Sequence, residues 1–175
     1  MEEIEKVVHS SFWANLFKPS LKKNDDEFIL TDYPPFLELN KKDMNQLSDL
    51  IHNRQYIRGE HIFKQGDPGI GMYIIRDGEV EIKYADKNGQ ILRFASFCKG
   101  DFFGELALVD GEKRSASALA KTDAKIAVIF KPDLDNFIER FPKKGIKILQ
   151  GISLIITTRL RKLDEEFLNL ESNNH

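Results

Sequence analysis

Several things are scarce in this chain, and each scarcity narrows what it can be. One cysteine, Cys98, in 175 residues excludes an internal disulfide and a cysteine-built zinc cluster, and fits a reducing compartment. The four histidines, His9, His52, His61 and His175, have no metal-ligand spacing, so no metal is expected. No Gly-x-Ser-x-Gly nucleophile elbow occurs. Long apolar runs are missing too: the longest weakly charged stretch, Ile148 to Thr158, is about half of what a bilayer span needs. The opening Met1-Glu2-Glu3-Ile4-Glu5 is acidic where a secretory signal carries positive charge. An excess of positive charge is absent as well, since 26 Lys and Arg against 28 Asp and Glu leave a net −2. That removes the basic field of a nucleic-acid binder or a polybasic membrane anchor. What remains, 41% hydrophobic and 31% charged, suits one domain with a real core. The expectation is a soluble cytoplasmic protein.

Three zones follow from the residue patterns. In residues 1–27, Ile4, Val7, Val8, Phe12, Leu16 and Phe17 recur at helical spacing before a polar linker. This N-terminal helix either folds back on the main domain or docks elsewhere through Phe12, Trp13 and Phe17. Its flanking charges are mixed in sign, against the basic face of a membrane-surface helix. The second zone, 28–131, starts with helical spacing over Asp43 to Ile51, where Asn40 is placed to cap. The period then changes to two. Strands are expected at Tyr56 to Arg58, His61 to Lys64, Met72 to Arg76, Val80 to Tyr84, Ile91 to Phe97, Ser115 to Ala120 and Ala124 to Phe130. Asp77-Gly78 and Asn88-Gly89 suit tight turns because both dipeptides tolerate positive φ. Within this pattern Cys98 follows Phe97 at a strand end and is expected in the core. Many short strands at such spacing imply a mainly β fold, a small antiparallel jelly-roll barrel flanked by helices.

The third zone, 132–175, is helical. A short helix starts at Pro132 and runs to about Arg140, and a longer one runs from near Pro142 to about Glu171. Along the longer helix Ile152, Ile156, Leu160, Leu163, Phe167 and Leu170 approximate a heptad seam. Its early part suits packing on the barrel, and its later part, from Leu160 to Leu170, suits a homodimer seam.

The stretch that carries chemistry is Phe102-Phe103-Gly104-Glu105-Leu106-Ala107-Leu108, followed by Arg114-Ser115-Ala116-Ser117-Ala118. A small cyclic phosphodiester presents one negative charge, which a single guanidinium matches with fixed donors. A one-turn helix after Gly104 would aim free backbone N–H groups at the same anion, and Gly104 and Ala107 are small enough to let it approach. A neighbouring carboxylate, Glu105, can accept from a ribose 2′-hydroxyl, as acidic residues do in dinucleotide folds. The plainer alternative is an internal salt bridge between Arg114 and Glu105.

This run resembles the phosphate-binding cassette of the cyclic nucleotide-binding domain, the family that includes catabolite activator proteins, regulatory subunits of cyclic-AMP-dependent kinase and cyclic-nucleotide-gated channels. Tyr56 to Asp67 resembles the family's opening strands and Met72 to Val80 its next hairpin, so that the resemblance extends from roughly Pro35 to Leu163. It implies that Gly104, Leu106 and Ala107 offer backbone contact around the phosphate, that Glu105 holds the 2′-hydroxyl, and that Arg114 pairs with the phosphate. Ser115 and Ala116 would add hydroxyl and backbone donors. The long C-terminal helix would cap the base with Leu160, Leu163 and Asp164, although a solvated helix carboxylate is the safer reading of Asp164. The implied ligand is cAMP or cGMP, with a leaning to cAMP as the commoner ligand among bacterial members.

Gly66-Asp67-Pro68-Gly69-Ile70-Gly71 looks like a phosphate loop but lacks the following Lys-Ser/Thr, and it is expected to be a structural turn. Past the long helix only Leu170 to His175 remain, too few for a DNA-recognition helix, so direct DNA binding is not expected. Output would then pass through a partner, dimerisation or the N-terminal helix. A regulatory sensor is the leading expectation, a ligand-independent dimeric scaffold the alternative, and catalysis is not expected.

Overall fold

The computed structural model describes Leu30, residues 33–40, Asp43 and residues 46–172, with side chains except at 92–94, 166, 170 and 171. The N-terminal helix expected over Ile4 to Phe17 lies outside the described residues. Eight strands are described: β1 (Ile51–Tyr56), β2 (His61–Phe63), β3 (Gly71–Asp77), β4 (Glu79–Ala85), β5 (Ile91–Cys98), β6 (Phe102–Phe103), β7 (Ser117–Ala120) and β8 (Ala124–Phe130). Two helices follow, α1 (Lys131–Arg140) and α2 (Pro142–Ser172). The strands pair antiparallel into two four-stranded sheets, β1-β8-β3-β6 and β2-β7-β4-β5, which is the jelly-roll arrangement expected. Gly78 at φ +87° and Gly89 at φ +79° make the two anticipated turns, a conformation that costs glycine little and other residues more.

Two cores meet at the first sheet. Tyr73 and Ile75 of β3 with Ile126 and Val128 of β8 point between the sheets, onto Val80, Ile82, Phe97 and Phe103. Met72, Ile74, Ala127 and Ile129, alternating with them, face the helices and pack with Phe36, Leu47, Leu134, Phe137, Ile148, Ile152 and Ile155. Burial on both faces explains why β3 and β8 read as unbroken apolar runs rather than alternating ones.

Three expectations need correction. Helical residues at Asp43, Gln46 and Leu47 give way to a 3-10 turn, Ser48–Leu50, and Ile51 opens β1 rather than ending a helix. Of Tyr56 to Arg58 only Tyr56 is in a strand. β1 hides in sequence because among the described strands it is an edge strand paired with β8 alone, and Asn53, Arg54 and Gln55 are exposed. Cys98 is exposed, not in the core: Phe97 points inward, so the next residue of the pleat points out. The expected cap is in place, as Asn40 Oδ1 accepts from Asp43 N at 3.0 Å while Asp43 Oδ2 accepts from Asn40 N at 3.3 Å, a reciprocal capping arrangement.

α2 is seated against the chain that precedes the strands. Lys144 Nζ reaches Asp43 Oδ1 at 2.7 Å and donates to Gln46 Oε1 at 2.7 Å, and Lys147 Nζ donates to Glu38 O at 3.1 Å. At Gly151 the helix backbone comes so close to Pro34 and Pro35 that a Cβ would stand 2.5 Å from Pro34 O and 2.7 Å from Pro35 Cα. Beyond Ile156 the apolar stripe leaves the core, with Leu160 57% and Phe167 61% exposed.

Two stability predictions follow. Helix propensity alone makes Gly→Ala favourable by about 1 kcal/mol, but Gly151→Ala is expected to destabilise by about 1–3 kcal/mol, because the crowding atoms are backbone that cannot rotate away; a denaturation midpoint unchanged or raised would contradict this seat. The Lys144 ammonium bonded to Asp43 holds that carboxyl below its ordinary value of 3.8. A depressed acid contributes stability above its unfolded pKa and loses it as pH falls through the folded one. Asp43→Asn should therefore lower the melting temperature near pH 7, and the gap to the unsubstituted protein should shrink as pH falls below about 4 in thermal melts.

Candidate functional site

Arg114 lies between the 3-10 turn Glu105–Leu108 and β7, in a segment fixed from its backbone outward. Its N–H donates to Asp67 O at 2.8 Å and its carbonyl accepts from Gly66 N at 2.9 Å. The Gly66 to Gly71 loop is thus a structural turn, as expected, and it also holds Arg114. Gly66 adopts φ +88° there, and Lys64 N donates to Asp67 Oδ2 at 2.7 Å across the turn.

The guanidinium is buried, 7% exposed. Nη2 donates to Gly71 O at 2.7 Å and Nη1 to Gly104 O at 3.2 Å. Its Cζ stands 4.3 Å from the Phe63 ring centroid and 5.3 Å from that of Tyr73, within cation–π range. Tyr73 stacks on Phe103 at 5.3 Å, and burial pushes its hydroxyl above the ordinary value, against the opposing pull of Arg114. Nε of Arg114 is buried with no hydrogen-bond partner in the protein, and among the described residues no carboxylate pairs with this guanidinium. A buried cation facing only dipoles and rings holds donor capacity that an anion can use.

Gly104 caps the 3-10 turn in the left-handed conformation, φ +74°. A Cβ there would stand 2.8 Å from Arg114 Nη1 and 3.2 Å from Gly71 O. Small size at this position therefore makes room for the guanidinium itself. Glu105 begins the turn and is 1% exposed. One oxygen, Oε1, accepts from Arg159 Nη1 of α2, while Oε2 is buried without a partner. The internal Arg114–Glu105 salt bridge considered from sequence is not formed.

Of the other residues singled out, Ala107 is buried, Leu106 and Ser115 are exposed, and Ala116 is half-buried, all in the same loop and strand approach. Leu160, Leu163 and Asp164 lie exposed on α2, in the turns after Arg159. Sequence reasoning missed four contributors: Gly71, Phe63 and Tyr73, which seat the guanidinium, and Arg159, which brings α2 to the turn. Among the described residues no group of three or more His, Cys, Asp or Glu side chains is placed to hold a metal ion, and no helix is long and apolar enough to cross a membrane.

The class these features define is a β jelly roll whose buried arginine and glutamate flank a glycine-capped turn beneath a long helix. A model of the cyclic nucleotide-binding domain matches residues 53–141, and the chain belongs to that family, one defined by binding and not by catalysis. Over 120 residues it is 34% identical to a cAMP-dependent protein kinase regulatory subunit of Colletotrichum orbiculare, a match covering 69% of this chain and 29% of that protein. Over 133 residues it is 31% identical to the cyclic AMP receptor protein of Thermus thermophilus, covering 76% of this chain and 60% of that one. The crystal structure of the Thermus thermophilus catabolite activator protein superposes with a TM-score of 0.69 at 30% identity, over 79% of this chain and 63% of that one. The chain thus spans less than two thirds of each of these relatives.

The double demand on Gly104 can be measured. Gly104→Ala should cost about 1–2 kcal/mol for its left-handed backbone and more for crowding Arg114. Gly89→Ala is the control, because its φ is similar, +79°, and a Cβ there meets nothing within 4 Å. Equal losses in chemical denaturation would mean that the guanidinium is not wedged against Gly104.

Proposed function

We propose that this protein binds a cyclic nucleotide, cAMP or cGMP, as a regulatory sensor module. The observation that carries this reading is the pair of buried polar atoms without partners, Arg114 Nε as donor and Glu105 Oε2 as acceptor, on either side of Gly104. A cyclic phosphate with a ribose 2′-hydroxyl supplies an acceptor for the first and a donor for the second. Arg114 pairs with the phosphate, Glu105 takes the 2′-hydroxyl, and the backbone around Gly104, Leu106 and Ala107 lines the anion, with further donors from Ser115 and Ala116. Of residues 28–131 the described part is assigned to the binding barrel and the helical residues leading into it, and of 132–175 the described part to the capping and dimerising helices, with Leu160, Leu163 and Asp164 nearest in sequence to the arm that reaches the turn. The names of the relatives, both of which contain cyclic AMP, favour cAMP over cGMP.

Output is assigned to α2. Ligand binding with different affinity for two positions of this helix shifts their populations, and the exposed Leu160, Leu163 and Phe167 form a surface for a second copy of the chain, or for an effector protein. We place the protein in the cytoplasm on its single cysteine, which suits a reducing compartment. The same exposed stripe favours a second reading, a dimer that forms with or without ligand.

The test is isothermal titration of the full chain with cAMP and cGMP, beside Arg114→Ala and Arg114→Lys, with light scattering in both conditions. A charge-assisted bond of about 1.5–3 kcal/mol predicts at least tenfold weaker binding on loss of the guanidinium. No heat with either nucleotide at millimolar concentration overturns the sensor reading, and a nucleotide-indifferent dimer would leave the scaffold reading in its place.

A further inference from the structure

Arg159 is the one long side chain that joins α2 to the 3-10 turn by an ion pair among the described residues. It is three-quarters buried, 23% exposed at its side chain, and its partner Glu105 is 1% exposed. Its Cζ also lies 5.5 Å from the centroid of the Phe102 ring, which is itself buried edge-on against Tyr33 at 6.3 Å. Arg159 therefore has a fixed seat: an aromatic face on one side and a carboxylate oxygen at its tip. The consequence for Glu105 is asymmetric. Oε1 is taken by Arg159 Nη1, whereas Oε2 is buried with no partner. A carboxylate held through one oxygen has lost its freedom to rotate, and its other oxygen points in one fixed direction.

We infer that Arg159 is a positioning residue for recognition of the ribose 2′-hydroxyl: by occupying Glu105 Oε1 it aims Oε2 at that hydroxyl. This rests on the binding reading above and adds a specificity role to a residue of α2 that does not itself need to touch ligand. The 2′-hydroxyl donates to Oε2 without displacing the arginine, so ribose recognition and the docking of α2 on the turn reinforce each other. A bond made to a preorganised acceptor is stronger than one made to an acceptor that must first be ordered. A site built to accept from a hydroxyl rejects the analogue that lacks it, because a buried polar atom is then left unpaired.

The experiment compares cyclic AMP with 2′-deoxy cyclic AMP, and cyclic GMP with its 2′-deoxy form, on the full chain by titration calorimetry. The unsubstituted protein is expected to prefer the ribo form by at least tenfold. Arg159→Met, which keeps an apolar stem against Phe102, should cut that preference to about threefold or less by weakening the ribo form while leaving the deoxy form nearly unchanged. Arg159→Lys, which keeps the charge without the planar fork, should fall between. Glu105→Gln should lose the same preference, and Arg159→Met added to it should cost no more. Loss of stability alone would weaken both sugars equally, so the ratio separates positioning from folding, and the lysine variant carries the test if the methionine one does not fold. An undiminished ratio in both Arg159 variants, or no ribose preference in the unsubstituted protein, overturns the inference. No binding of any nucleotide would instead remove the reading beneath it.

Discussion

A buried guanidinium held by backbone carbonyls is the constraint around which the rest is arranged. Arg114 has its Nη atoms on Gly71 O and Gly104 O and its face over Phe63 and Tyr73. Desolvating a cation is expensive unless its donors are satisfied, and here most of that compensation comes from peptide dipoles rather than from a carboxylate. The carbonyls must therefore come close, which is why a glycine stands at 104, whereas the glycine at 71 is demanded by the neighbouring strand β8. At Gly71 a Cβ would lie 2.4 Å from Ile129 O, and at Gly104 it would strike the guanidinium. The loop Gly66 to Gly71 and the residue that caps the 3-10 turn are thus tied to one residue, the loop through both its backbone and its side chain.

The same arrangement sorts the charges. The cation keeps a donor unused, and the neighbouring acid is neutralised by a different arginine on a different element. Had Arg114 paired with Glu105, each would have consumed the other's capacity for a ligand. Keeping Arg114 and Glu105 apart leaves the donor of the one and the second acceptor of the other without protein partners, at the junction of the sheets and the long helix.

Much of this is legible in the amino-acid sequence. The glycine turns at 78 and 89, the limits of α1 and α2 and the Asn40 cap all rest on local chemistry, which is why they could be read locally. The cassette residues Gly104, Glu105 and Arg114 are close in sequence and were identified together. β1 escaped because Asn53, Arg54 and Gln55 face solvent along an edge strand, so its pairing with β8 leaves no apolar alternation. β6 escaped because two residues carry no period. Arg159 sits in Thr157-Thr158-Arg159-Leu160-Arg161-Lys162, a run that reads as a solvated basic face. Only the fold brings it to an acid 54 positions away, and a contact at that separation leaves no trace in spacing. Phe63 and Tyr73 looked like ordinary core residues, and they are that as well as a platform for the cation.

The close approach of α2 to Pro34 and Pro35 at Gly151 gives this helix a fulcrum. A straight helix rises about 1.5 Å per residue, so Arg159 sits about 12 Å along the shaft from Gly151 and Phe167 about 24 Å. A pivot of about 5° there would sweep the arginine through about 1 Å and the far phenylalanine through about 2 Å. The first is enough to undo a hydrogen bond. On lever geometry alone, any tilt about Gly151 displaces the tip of the helix about twice as far as the arginine.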